Sequence, residues 1–202
     1  MKLLQLDSSP LGTHSVTREL TAAVVAQYRR EHPEIEVTYR DLAADPLPHW
    51  TPLPRDAVDA LAPERRAEVE RNETALQEFL DADVLVVGAP MYNFGVPSQL
   101  KAWIDRIAVA GRTFRYTAQG PEGLAVGKRV IVLSGRGGFY ADTALQAADF
   151  QESYLRQLFG FLGIRDIRFI RAEGVGISAE QRAASMAAAH ERIGSEALAR
   201  AA

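Results

Sequence analysis

Apolar residues along this chain fall into short runs that alternate with longer stretches of helical period. Lys2–Asp7 alternates polar and apolar and closes on Ser8-Ser9-Pro10-Leu11-Gly12, which predicts a first strand and a polar loop. Val16, Leu20, Ala23, Val24 and Tyr28 recur at helical spacing and predict a first helix. Residues 35–39 read as a second, alternating strand. Residues 42–54 hold four prolines and a tryptophan, which makes them a loop. Residues 55–80 read as helical, with Pro63 breaking them into two helices. Val84, Leu85, Val86 and Val87 form a third strand, apolar throughout and therefore expected to be buried on both faces. A helix is expected over residues 98–108 and an excursion with hairpin character over residues 113–123, whose Phe114 and Tyr116 have no obvious place in a five-stranded core. A fourth strand follows at 130–133, a helix at 150–162, a fifth strand at 167–170 and an Ala-rich helix at 179–199. This alternation of strand and helix predicts an α/β fold: a doubly wound, five-stranded parallel sheet with helices on both faces. It reads as a single domain over residues 1–202, with residues 111–127 as an insertion.

Composition narrows the chemistry. The chain has 202 residues, 47% of them hydrophobic and 24% charged, as expected of an ordinary globular protein. A formal charge of −3 with no basic block argues against nucleic acid as a partner. No apolar run is long enough to span a bilayer, and the start of the chain lacks the pattern of a secretory signal. Cysteine is absent, which removes disulfides, thiolate nucleophiles and Cys-based zinc sites together. A cytoplasmic location fits, no metal site is expected, and any redox chemistry must be carried by a bound cofactor.

Three loops leave the carboxyl ends of strands one, three and four. The first, Ser8-Ser9-Pro10-Leu11-Gly12-Thr13-His14-Ser15-Val16-Thr17, puts five hydroxyls ahead of a helix, where the dipole and unpaired N–H groups suit a phosphate. The same residues would serve equally as a plain N-cap through Ser15 or Thr17. The second, Gly88-Ala89-Pro90-Met91-Tyr92-Asn93-Phe94-Gly95-Val96-Pro97, combines two prolines, two aromatic faces and an amide. Gly88 and Gly95 are expected to let its backbone approach a flat ligand. The third, Ser134-Gly135-Arg136-Gly137-Gly138-Phe139-Tyr140, offers glycine backbone donors, and Arg136 is either an anion partner or a solvated charge. Neither the dinucleotide fingerprint nor a P-loop is present. Gly123-Leu124-Ala125-Val126-Gly127-Lys128 reads as a turn carrying a surface lysine. A phospho-receiver domain shares this winding but needs a carboxylate after strand three, where this chain has Gly88-Ala89-Pro90. Together the loops frame one cleft with a phosphate end and a planar ring, a description that flavin mononucleotide (FMN) matches.

Ser9 with Ser15-Val16-Thr17, then Pro90-Met91-Tyr92-Asn93-Phe94, then Arg136-Gly137-Gly138, is similar to the pattern of the FMN-dependent, NADH-linked azoreductases of bacteria. These are relatives of the flavodoxin-like quinone reductases. The likeness runs nearly end to end, through Leu100-Lys101-Ala102-Trp103-Ile104-Asp105, Thr113-Phe114-Arg115-Tyr116, Gly120-Pro121-Glu122-Gly123-Leu124 and Gly160-Phe161-Leu162-Gly163-Ile164. The resemblance implies a flavodoxin-like fold, a non-covalent FMN, NADH as donor with NADPH left open, and a homodimer whose active site lies at the subunit interface. It implies two-electron reduction of quinones to hydroquinones and of azo compounds to amines, by a ping-pong mechanism. It assigns the FMN phosphate to Ser9, Ser15, Val16 and Thr17. The ring falls to Pro90, Met91, Tyr92, Asn93, Phe94, Ser134, Gly135, Arg136, Gly137 and Gly138. Asn93 would address the ring near N5, and backbone N–H groups around Gly138 would stabilise charge at the N1–O2 edge. Phe94, Phe139 and Tyr140 would line the substrate pocket, with Tyr116 and Phe161 entering from the partner. Two features depart from the pattern: Gly135 separates Ser134 from Arg136, and Tyr140 stands where some relatives carry histidine. The rival reading is a flavodoxin-type single-electron carrier, which usually has a strongly charged docking face.

Overall fold

The computed structural model describes residues 1–51 and 61–198. In chain order the elements are β1 (Lys2–Asp7), α1 (Val16–Glu31), β2 (Glu36–Asp41), α2 (Pro63–Asp81), β3 (Val84–Pro90) and α3 (Ser98–Ile107). They continue with β4 (Phe114–Thr117), β5 (Gly120–Gly123), β6 (Arg129–Gly135), α4 (Phe150–Phe161), β7 (Asp166–Ala172) and α5 (Ala179–Leu198). The expected first half of the 55–80 helix falls largely on residues 55–60, outside the described residues, as do residues 52–54 of the predicted loop and Ala199. Pro63 opens α2, where the N–H it lacks has no helical partner to lose.

The sheet is parallel throughout, in the order β2-β1-β3-β6-β7, as the alternation of elements predicted. Its strands outrun the apolar stretches that announced them. β6 continues through Ser134 and Gly135 because these pair with Arg171 and Ala172 of β7, and β3 continues to Pro90 opposite Gly135. Both faces are covered. Leu4, Leu6, Leu85, Val87, Val130 and Val132 pack under α2, α3 and α4 with Phe79, Trp103, Leu155 and Phe159. Leu3, Val86, Ile131, Leu133 and Ile170 pack under α1 and α5 with Leu20, Val24, Met186 and Ile193. Trp103 and Phe79 meet edge-on at 6.0 Å in the first of these layers, each burial contributing roughly 1.5–3 kcal/mol.

The excursion is a hairpin, β4 against β5. It docks on the end of α4. The Ala125 N–H donates to the Leu162 carbonyl at 2.8 Å, and a Cβ at Gly123 would sit 2.1 Å from the Gly163 nitrogen. Phe114, expected to have no place in the core, is buried there, 4.6 Å from the Phe161 ring. Tyr116 is the hairpin aromatic left outside, 77% exposed. Lys128, expected as a surface lysine, is half-buried. Its ammonium donates to the carbonyls of Leu80 and Ala82 at 2.6 and 2.7 Å and lies over the Phe79 ring, so it caps the carboxyl end of α2. Burial pushes its pKa down.

Glycine at 135 is a packing requirement. A Cβ there would lie 2.6 Å from Val16 Cγ2 and 3.0 Å from Thr17 Cγ2, at the point where α1 crosses the end of β6. Both neighbours are β-branched and buried, so neither can swing clear. Gly135→Ala should lower stability by about 1–3 kcal/mol, read as a lower urea midpoint with unchanged slope.

Candidate functional site

The three carboxyl-end loops leave the same edge of the sheet, and between the paired neighbours β1 and β3 the strand order reverses. The loop after β1 is tied down by Arg18. Its guanidinium donates to the Ser9 carbonyl at 3.1 and 2.8 Å and grips Asp41, on β2, at 2.6 Å through both terminal nitrogens. The hydrogen bonds from Arg18 lower the Asp41 pKa to about 2. Asp7 lies deeper, accepting from Thr21 Oγ1 at 2.8 Å, and burial pushes its carboxyl up. Gly88 is required beside it, since a Cβ would fall 2.7 Å from Asp7 Oδ1. Ser15 caps α1 by accepting from the Arg18 N–H at 3.3 Å, and its hydroxyl also meets Thr17 Oγ1 at 3.1 Å. Val16 and Thr17 occupy the first turn, where a helix offers their N–H groups no internal acceptor. Ser9 Oγ accepts from the Leu11 N–H at 3.3 Å, which leaves its own proton available to a ligand. The N-cap reading of this loop therefore holds, and it leaves the first N–H groups of α1 without an internal acceptor.

The loop after β3 is a two-residue reversal. Tyr92 and Gly95 exchange both backbone hydrogen bonds, at 3.1 and 3.0 Å, around Asn93 (φ 47°) and Phe94 (φ 68°). Two successive left-handed residues make the primed turn usually given to Asn-Gly. The strain thus falls on Asn93 and Phe94, and Gly95, expected to grant backbone freedom, is not the left-handed residue. The turn lifts Phe94 into solvent, 49% exposed, with its ring edge-on to Tyr140 at 6.3 Å. Tyr92 reaches back to Ser9, hydroxyl to hydroxyl at 3.5 Å.

The loop after β6 departs most from expectation. Arg136 is neither solvated nor aimed at a ligand. Its side chain is fully buried, bound to Glu152 at 2.6 Å, Asp149 at 2.8 Å and Glu173 at 3.0 Å, and it donates to Ser134 Oγ at 2.9 Å. Ser134 is buried too, donating to Gln151 Oε1 at 2.6 Å. Gln151 in turn donates to the Ala89 carbonyl at 2.9 Å, so one α4 side chain ties together the ends of β3 and β6. The side chains of Ser134 and Arg136 hold the loop, and the Arg136 N–H is itself spent on the Ala172 carbonyl at 2.9 Å. The carbonyls of Arg136, Gly137 and Gly138 accept from the N–H groups of Val175, Gly176 and Gly174 at 3.1, 3.1 and 2.9 Å. In a trans peptide the next N–H points the opposite way. The N–H groups of Gly137, Gly138 and Phe139 therefore face away from that support, and among the described residues none has an acceptor.

Phe94, Phe139 and Tyr140 share this edge. Tyr116 and Phe161 do not. α4 carries the chain from the loop edge back to the start of β7, so Phe161 and the hairpin lie at the opposite, amino edge of the sheet. A hollow of about 1240 Å³ opens beside them, lined in part by Thr117, Glu122, Arg129, Phe161 and Arg165. Sequence reasoning missed Arg18, Asp41, Gln151, Glu152 and Glu173. Each looks like an ordinary polar residue of a strand or first helical turn, and only long-range pairing gives it a role. The glycines of Glu173-Gly174-Val175-Gly176 were the one local signal available.

A family model described as "Flavodoxin-like fold" matches residues 1–197. The chain belongs to the flavodoxin-like family. Flavodoxin-like relatives lie close to it. An FMN-dependent NADH:quinone oxidoreductase 1 of Xanthomonas euvesicatoria pv. vesicatoria (strain 85-10) is 61% identical over 196 residues, covering 97% of this chain and 96% of that one. An FMN-dependent NADH:quinone oxidoreductase of Rhizobium meliloti (strain 1021) is 54% identical, covering 96% and 95%. Among solved structures, an FMN-dependent NADH-azoreductase from Bacillus anthracis str. Ames Ancestor, in complex with FMN, superposes with a TM-score of 0.86. It is 27% identical and covers 100% of this chain and 99% of that one. No helix among the described residues is long and apolar enough to cross a membrane.

The Arg18–Asp41 pair makes the loop after β1 acid-sensitive. A carboxylate whose folded pKa lies below its unfolded value stabilises above the unfolded pKa and loses that contribution as pH falls through the folded one. Asp41→Asn should therefore be less stable than the parent at neutral pH. The gap should close as pH falls from about 4 through about 2. Urea melts of both proteins across that range measure it.

Proposed function

We propose that this chain, as one FMN-binding domain, is an FMN-dependent NADH oxidoreductase. It reduces quinones by two electrons and azo compounds to amines, and works as a homodimer in the cytoplasm. The observation that carries the reading is the convergence of two sets of unpaired N–H groups on one edge: those of Val16 and Thr17 at the start of α1, and those of Gly137 to Phe139 across from an aromatic turn. That spacing of an anion cradle and a flat, donor-lined slot fits the phosphate and ring of FMN. The names of the relatives at 61% and 54% identity support the same cofactor and donor.

In this reading Ser9, Ser15, Val16 and Thr17 bind the phosphate, and Pro90 to Phe94 and Gly135 to Gly138 hold the ring. When bound, FMN supplies the redox chemistry, taking two electrons from NADH and giving them to the acceptor. The N–H groups of Gly137 and Gly138, without acceptors of their own, would donate to the electron-rich edge of the bound ring, as the donors of an oxyanion hole do. Asn93, exposed on its strained turn, addresses the other edge. Phe94, Phe139 and Tyr140 stack the donor and the acceptor in turn and keep water from the ring face. Tyr116 and Phe161 lie at the wrong edge to join them within one chain, so they complete the pocket only from a second copy. The hollow beside the hairpin gives that copy's carboxyl edge a place to sit.

The double substitution Ser9→Ala with Ser15→Ala should weaken FMN binding by about 2–4 kcal/mol, measured by fluorescence titration of the FMN-free protein. Unchanged affinity would return the loop to a simple cap. If one aromatic slot serves both substrates, initial rates with NADH and menadione varied together should give parallel double-reciprocal lines. Intersecting lines would exclude a shared slot. Sedimentation at micromolar concentration should show a dimer, and a fully active monomer would contradict the placement of Tyr116 and Phe161.

A further inference from the structure

The geometry points to Glu173 as a positioning residue: with Gly174, Val175 and Gly176 it forms a strap that aims the backbone donors of residues 137–139 into the ring slot. The inference rests on the cofactor reading above and adds to it a residue from a different segment of the chain. Glu173 follows directly on β7. A single carboxylate oxygen, Oε1, accepts from the N–H groups of Tyr140 and Ala141 at 3.0 and 3.1 Å and from Arg136 at 3.0 Å. Beyond it the N–H groups of Val175, Gly176 and Gly174 donate to the carbonyls of Arg136, Gly137 and Gly138 respectively. Five of the six residues from Arg136 to Ala141 are thus bound to one four-residue segment, Phe139 being the exception. Every carbonyl and N–H turned toward the strap is used, and the three N–H groups turned away are the ones the slot receives.

The strap tolerates few alternatives. Gly174 has φ +71° and a Cβ there would strike the Phe139 ring at 2.7 Å, so this glycine also sets where a pocket aromatic can lie. A Cβ at Gly176 would come within 3.2 Å of the Gly137 Cα. The Ser185 hydroxyl, on α5, donates to the Glu173 carbonyl at 2.5 Å and anchors the strap from behind. Burial by itself would raise the Glu173 pKa, but the bonds from Ala141, Tyr140 and Arg136 overcome it and hold the group ionised.

The test compares Glu173→Ala with Glu173→Gln. Both remove the same charge, and they differ in the acceptor oxygen offered to Tyr140 and Ala141. Relative to Glu173→Gln, Glu173→Ala should bind FMN about tenfold more weakly, the loss expected when two backbone donors go unpaired. It should also lower the midpoint potential of bound FMN, because the donors no longer converge on the N1–O2 edge. Gly176→Ala keeps every charge and displaces the strap, so it should lower the potential as well. Equal affinity and equal potential in the two Glu173 variants, with Gly176→Ala at the parent's potential, would overturn the proposal. Amide exchange reads the strap without flavin. Faster exchange at Tyr140 and Ala141 in FMN-free Glu173→Ala than in Glu173→Gln supports it, and identical exchange overturns it. Failure of the unsubstituted protein to bind FMN would sink the cofactor reading instead, and leave the exchange arm to decide the strap.

Discussion

Arg136 has lost its water on every side, and protein groups have replaced it: Asp149 and Glu152 from the start of α4, Glu173 from the end of β7, and the hydroxyl of Ser134. A buried guanidinium is costly unless its hydrogen bonds are all made, and removing one partner of such a group strands the others. Arg171 answers the excess of negative charge by pairing with Glu152 at 2.6 Å. The result is a polar knot that crosses from β6 to α4 to β7 at the one place where apolar packing cannot reach. On this face the buried apolar layer ends at Leu133 of β6 and Ala172 of β7, and the knot takes over where they stop. The ring loop keeps its shape because this knot lies beneath it.

The two ends of the cleft are held by different physics. At the loop after β6, order comes from a largely buried cluster of two arginines and three carboxylates and from backbone pairing between loops, which salt screens little. At the phosphate end, order comes from the partly exposed Arg18–Asp41 pair and from the start of α1, so it responds to acid. Between them the primed turn at Asn93 and Phe94 carries strain where glycine would have been comfortable. A side chain in a left-handed position is retained only if the surroundings over-determine it. Here the paired ends of the turn, the Tyr140 ring and the Tyr92 contact to Ser9 do so.

The opposite edge of the sheet has its own logic. The hairpin hangs from the Gly123–Gly163 contact, where two glycines let backbones touch, and Phe114 nails it to Phe161. That leaves Tyr116 projecting and Phe161 half-buried beside a hollow. A surface built this way is complete as a fold and incomplete as a pocket, which is the reason a second copy enters the functional reading.

Local pattern was sufficient for the order of elements, the parallel sheet and the three loops of the cleft. Strand and helix periods, glycine and proline punctuation and helix starts are all written within a few residues of the positions they govern. The helix start at Ser15, Val16 and Thr17 and the turn at Tyr92 to Phe94 were legible for the same reason. The errors share one cause. Arg136, Lys128 and Phe114 were misjudged because their environments are assembled from segments dozens of residues away: Glu173 for the arginine, Leu80 and Ala82 for the lysine, Phe161 for the phenylalanine. Gln151 and Glu173 were missed altogether, since a polar residue in a first helical turn or after a strand carries no mark of what lies across from it. The sequence by itself determined which loops leave the carboxyl ends of the central strands. Tertiary structure decided which way their N–H groups point, because a peptide plane is oriented by its partners, and those partners are brought into place only by folding.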